Sequence, residues 1–176
     1  MALSKINTDA IASDAITSAK IADAVSFGQI LQVKQARKST VFSTSSTTFQ
    51  SVTDLSVSIT PASSNSRFLI MCSLSVGANW WSSGGGYFGV ARGSSNIAGD
   101  GSNMWVFQYG ADSGNSPHEM MQWHENFVDD PSSSSALTYT AQIASGNSSY
   151  TIYVNRRNAT ANSHGKSWLT VMEIES

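Results

Sequence analysis

At 176 residues the chain has the length of one ordinary domain, and its charged residues, at 12%, are about half the usual share while hydrophobic residues, at 40%, are near normal. The polar surface therefore rests on 33 Ser and 13 Thr, side chains that favour turns and strands over helix interiors and so argue against a helical bundle. The net charge is −2, and the basic residues gather no further than Lys34, Arg37 and Lys38 and the pair Arg156, Arg157, which leaves no stripe for nucleic acid.

Residues 1–27 stand apart from the rest. Ile6, Ile11, Ile16 and Ile21 recur every five positions, followed by Val25, with Ala, Ser, Thr, Asp, Asn and Lys between them. A step of five turns each isoleucine by about 140° on a helix and flips its face on an extended chain, so one copy collects them on no single side. They can be buried if several copies wrap a common axis, each isoleucine against its symmetry mates, and the expectation is a homotrimer. The other reading of the segment is a linker with incidental isoleucines.

From Gly28 the apolar period becomes two, which places a domain boundary there and assigns 28–176 to a separate folded unit. The first strand is expected at 29–38. Leu55, Val57 and Ile59 then alternate with serines, and Phe68, Ile70, Cys72, Leu74 and Val76 alternate with Leu69, Met71, Ser73 and Ser75. Further strands are expected at 86–92, 104–109 and 118–128, at Leu137, Tyr139, Ala141 and Ile143, and at 149–155 and 167–174. Turn clusters fall at 61–66, 82–86, 93–103, 110–117, 129–135, 145–148 and 158–166. Eight or nine strands without a long helix predict an all-β, antiparallel, jelly-roll-like sandwich with a Ser/Thr face toward solvent. Cys72 is the only cysteine, which removes intrachain disulfides and Cys-based zinc sites and leaves it the role of a small apolar residue. No apolar run reaches bilayer length and residues 1–10 lack the layout of a signal peptide, so neither membrane insertion nor export is expected.

The motifs that suggest chemistry are contradicted by their context. Gly84, Gly86 and Gly89 have the spacing of a dinucleotide fingerprint, but Val90, Ala91 and Arg92 continue a strand where a helix is needed. His118 and His124 lie six apart, roughly 20 Å along a strand, too far for one ion. Gln122 would share their polar row, opposite Glu119, Met121, Trp123 and Glu125; an interchain metal on a threefold axis is the one alternative. Asp100, Asp112, Glu119, Glu125, Asp129 and Asp130 are spread over separate segments, Asp129, Asp130 and Pro131 read as a turn, and no nucleophile elbow is present, so no enzyme and no cofactor is expected. Asn147 and Asn158 match the short N-glycosylation pattern. The aromatics are more suggestive. Trp80 and Trp81 are adjacent and so point to opposite faces of an extended chain, beside Ser82, Ser83 and three glycines. With Trp105 they are the candidate receptor-binding residues, rings of the kind that stack on sugars or anchor protein contacts.

The stretch Asp9-Ala10-Ile11-Ala12-Ser13-Asp14-Ala15-Ile16-Thr17-Ser18-Ala19-Lys20-Ile21-Ala22-Asp23 resembles the short A-I-T-x-x-K-I-A-D repeats of bacteriophage tail-fibre and other virion appendage proteins, notably those of phages of marine and freshwater bacteria, cyanobacteria included. The rest resembles the β-sandwich that follows such repeats, in Asp54-Leu55-Ser56-Val57-Ser58-Ile59-Thr60-Pro61, Arg67-Phe68-Leu69-Ile70-Met71 and Ser167-Trp168-Leu169-Thr170-Val171-Met172-Glu173-Ile174. The resemblance implies a virion protein assembled in the host cytoplasm as a homotrimer. Its N-terminus, with Ile6, Ile11, Ile16 and Ile21, would bind other virion proteins, and its outward domain would meet the host surface, saccharide being the expected ligand. The chain has only two or three repeats, too few for a long shaft. A stubby fibre, a tail adaptor or a capsid decoration with a purely structural role fits that length equally well.

Overall fold

The structure is a computed structural model and describes residues 29–78, 85–98, 105–108, 120–157 and 164–175, with 85 and 105–108 described by their backbone. Among these residues there are eleven strands and no helix: β1 (Ile30–Lys38), β2 (Phe42–Thr44), β3 (Gln50–Ile59), β4 (Arg67–Ala78), β5 (Gly85–Arg92), β6 (Ser95–Asn96), β7 (Trp105–Gln108), β8 (Met121–Asp129), β9 (Leu137–Ser145), β10 (Ile152–Val154) and β11 (Ser167–Ile174). Each expected strand falls on one of these, but β3 begins five residues before Leu55, β8 starts later than 118, and β10 is shorter than 149–155. β2 and β6 carry no alternation long enough to be seen in sequence.

All pairings are antiparallel and form two sheets. In the first, one edge of β4 pairs with β8, and the other with β11 over Arg67 to Ser73 and then with β10 over Val76 to Ala78. β1 lies outside β11 and β2 outside β10. In the second, β9 lies between β3 and β5, and the far edge of β5 takes β6 and β7 in line. Since β1 and β2, β6 and β7, and β10 and β11 lie end to end, the eleven segments fill eight strand positions.

Period-two alternation decides which side of each strand is buried. Phe68, Ile70, Cys72, Leu74 and Val76 of β4, Val57 and Ile59 of β3, and Tyr139, Ala141 and Ile143 of β9 form one core between the sheets. Phe88 of the second sheet stacks on Trp123 of the first at 5.5 Å, and Phe68 meets Tyr139 at 5.9 Å. On β3, Val52 and Leu55 are both buried although three apart. Asp54, at φ 63°, takes up the odd residue in a bulge, a left-handed conformation that Asp tolerates better than most side chains.

The antiparallel register gives the sandwich two distinct ends. Ile30 pairs with Ile174 and Ile174 with Arg67, so the described chain begins and finishes at the end that also carries the connections at 60–66, 93–94 and 130–136. The connections that follow β2, β4, β7 and β9 leave from the opposite end. Arg67 and Ala78, at the two ends of β4, are separated by roughly 36 Å at the usual rise of a strand.

Candidate functional site

Ile6, Ile11, Ile16 and Ile21 lie outside the described residues, as do Trp80, Trp81, His118 and Glu119. Trp105 opens β7, where its backbone pairs with Tyr87. Gly86 and Gly89 sit inside β5, as the strand reading requires. A Cβ on Gly86 would overlap the Ile152 side chain from the facing sheet, and one on Gly89 would overlap the Asn96 amide. His124 and Glu125 point to opposite faces of β8. His124 is exposed, and Glu125 turns toward the sandwich interior across from Cys72. Burial pushes the Glu125 carboxyl above its ordinary range, and burial with Glu125 close by pushes the Cys72 thiol up. Among the described residues no three His, Cys, Asp or Glu side chains gather to hold a metal ion.

Two groups of polar side chains are brought together that sequence separates. Asp129 closes β8 and is not part of a turn. Its carboxylate accepts from Arg92 Nη1 at 2.5 and 2.6 Å and from the Tyr139 hydroxyl at 2.7 Å, which ties the two sheets together. Burial, and then Asp129, push the Tyr139 hydroxyl pKa upward, while the Asp129 hydrogen bond raises that of Arg92. The second group centres on Asn155, buried and at φ 62° between β10 and β11. Its amide donates to the carbonyls of Lys38 at 2.9 Å and Thr40 at 3.1 Å, and its Oδ1 accepts from Ser167 at 2.7 Å. Ser75, its neighbour on β4, donates to the Lys166 carbonyl at 2.9 Å and accepts from the Gln122 amide at 2.5 Å. Both groups are structural pins whose hydrogen-bonding capacity is used within the fold.

The outer faces of the two sheets differ. On the second, Ser56 meets Thr140 at 2.8 Å and Ser58 meets Thr138 at 2.9 Å, a hydroxyl surface that bonds to itself. On the first, the register aligns Val33 with Met172, Met172 with Leu69 and Leu69 with Val128, an apolar row across all four strands. The flanking row toward the termini holds Ile30, Ile174 and Arg67. On the other side lie Gln35, Thr170, Met71 and Asn126, then Arg37, Trp168, Ser73 and His124. Beyond Ser73 the same face is covered by Arg156, Arg157 and Gly165. A Cβ on Gly77 would overlap the carbonyl oxygens of Arg156 and Arg157, and one on Gly165 would overlap Ser75. Sequence reasoning placed Leu69 and Met71 on a solvated face. The signal that would have marked them is the unbroken apolar run from Phe68 to Cys72, in which both parities are apolar.

No protein-family model matches this chain, and comparison with curated proteins finds no significant match.

Proposed function

We propose that this chain is a bacteriophage virion protein, a trimeric tail fibre or fibre tip, that attaches to the particle through residues 1–27 and turns the far end of a jelly-roll sandwich toward the host surface. The jelly-roll reading is supported by the strand order. With the eight positions counted along the chain, one sheet runs first, eighth, third, sixth and the other second, seventh, fourth, fifth, the interleaving of two Greek keys found in viral capsid and lectin domains. The repeat in residues 9–23 supports the virion assignment, and the five-residue isoleucine spacing supports the trimer.

The observation that carries the attachment-and-contact reading is the polarity of the sandwich. The described chain starts at one end, while the connection holding Trp80 and Trp81 leaves the opposite end, after Ala78. A protein bound to a particle by its first residues would present that second end outward. With few charges to steer a ligand, recognition there rests on contact between aromatic rings and the apolar C–H faces of sugars.

The test is binding of the purified protein to an array of bacterial surface glycans and to candidate host cells. Binding is expected, and Ala at Trp80, Trp81 or Trp105 is expected to abolish it in at least one variant that retains the melting curve. If folded Trp80→Ala, Trp81→Ala and Trp105→Ala variants all bind as the wild type does, the reading as a capsid decoration or tail adaptor replaces the receptor-binding one.

A further inference from the structure

We infer that copies of this chain meet through the outer face of the first sheet, over the half nearest Ile30, where Val33, Met172, Leu69 and Val128 form an apolar row across four strands. This rests on the trimer reading above and adds to it the surface that makes the contact.

Among the described residues burial leaves this face unfinished. Four of the five large hydrophobic side chains that stand exposed among the described residues gather here, Ile30, Leu31, Val33 and Val128, at 41–60% exposure; Met121, the fifth, is at the other end. A cluster of this kind, crossing a sheet from edge to edge, marks a contact surface, whereas isolated exposed apolar residues do not. Arg156, Arg157 and Gly165 already cover the far half of the same face, so among the described residues the half nearest Ile30 is the one without a cover.

β1 keeps its lysines off this face. Lys34 and Lys38 turn toward β3, where Lys34 Nζ donates to the Ser58 carbonyl at 3.0 Å and Lys38 Nζ to Thr40 Oγ1 at 2.9 Å and Thr53 Oγ1 at 3.2 Å. What β1 presents outward is Val33, Gln35 and Arg37.

The occupant is a second copy because of where the preceding chain arrives. Twenty-eight residues precede Gln29, and their apolar series at steps of five, Ile6, Ile11, Ile16 and Ile21, resumes from Val25 to Ile30, again a step of five. Ile30 is the first residue of β1 and sits at the corner of the apolar face, 60% exposed. A series that needs symmetry mates therefore runs into a face that needs a cover, and one axis satisfies both. Identical copies also bring identical charges, so self-contact favours a neutral centre. The charges here stay at the rims, with Arg67 and Asp130 paired at 3.9 Å on one side and Arg37 on the other.

The experiment is light scattering of the full chain over a range of concentrations, for the wild type, the double variant Val33→Lys/Val128→Lys and the control Ser56→Lys on the hydroxyl face. The wild type and the control are expected at three times the 18.7 kDa chain mass. The double variant is expected to require about 100-fold or more higher concentration to assemble, while keeping a β-type circular dichroism spectrum. A wild type that is monomeric overturns the trimer reading and this inference together. A trimeric wild type whose double variant stays trimeric overturns the face alone. Should the double variant fail to fold, thiol labelling decides. A cysteine from Val33→Cys is expected to react with a maleimide at least about tenfold more slowly than one from Ser56→Cys in the assembled protein, with buried Cys72 silent in both, and equal rates overturn the proposal.

Discussion

Near the ends of the described chain the buried polar groups form two ionic clusters, whereas where the strands of the first sheet break a buried neutral cluster adjoins a single buried ion, Lys38, which meets the exposed Asp54 at 3.4 Å. Glu173 and the Asp129–Arg92–Tyr139 cluster are of the first kind, and Asn155, Ser75 and Ser167 are of the second. Glu173 is buried, yet its carboxylate accepts from the Ala62 amide at 2.6 Å and from Gln32 and Ser66, which fastens the 60–66 connection to β11. The Arg92 side chain in the other ionic cluster remains 31% exposed, so water shares the cost of its charge. Asn155, Ser75 and Ser167 have no such access, at 0% exposure, and there a neutral amide and hydroxyls avoid the desolvation penalty an ion would carry. The difference teaches that ions are accepted where solvent or several partners can reach them, as Lys38 reaches Thr40, Thr53 and the exposed Asp54.

The sharpest way to break the comparison is Asp129→Ala. It leaves Arg92 and the Tyr139 hydroxyl without their acceptor and is expected to lower stability by about 3 kcal/mol in urea unfolding. Asn155→Ala removes three hydrogen bonds from the neutral cluster and puts a less tolerant residue at positive φ, for a loss of about 2 kcal/mol. That loss should be the same in mild acid as at neutral pH, since nothing in the cluster titrates, and a loss that changes with pH would contradict the division drawn here.

Glu173→Gln tests the ionic side through pH. Burial alone would raise this carboxyl, but hydrogen bonds from Ser66, Gln32 and the Ala62 amide outweigh it, so its folded pKa is lowered. Its contribution is therefore present above the unfolded value of about 4.3 and is lost as pH falls through the lower folded value. The variant is expected to cost about 1 kcal/mol at neutral pH and to converge on the wild type in acid, in melts measured across that range. Glu125 shifts the opposite way. Burial raises its pKa, so the folded state carries a penalty that grows as pH rises above the unfolded value. Glu125→Gln should therefore stabilise the protein at neutral pH by about 0.5 kcal/mol, with the gain disappearing in acid. A destabilised variant would show that Glu125 has a favourable partner.

The sequence alone determined nine of the eleven described strands and their inward rows, because alternation in Phe68 to Val76, Leu55 to Ile59 and Tyr139 to Ile143 is a local property of side chains on a pleated backbone. It also located the change of period at Gly28 and the strand character of the segment holding Gly86 and Gly89. Only the tertiary structure decided that Asp129 meets Arg92 and Tyr139, that Asn155 pins two strand breaks, and that Val33, Met172, Leu69 and Val128 fall in one row. Each of these depends on strand order and register between segments far apart in the chain. A sheet whose neighbours are not consecutive sets those relations through long-range pairing, which no local pattern encodes.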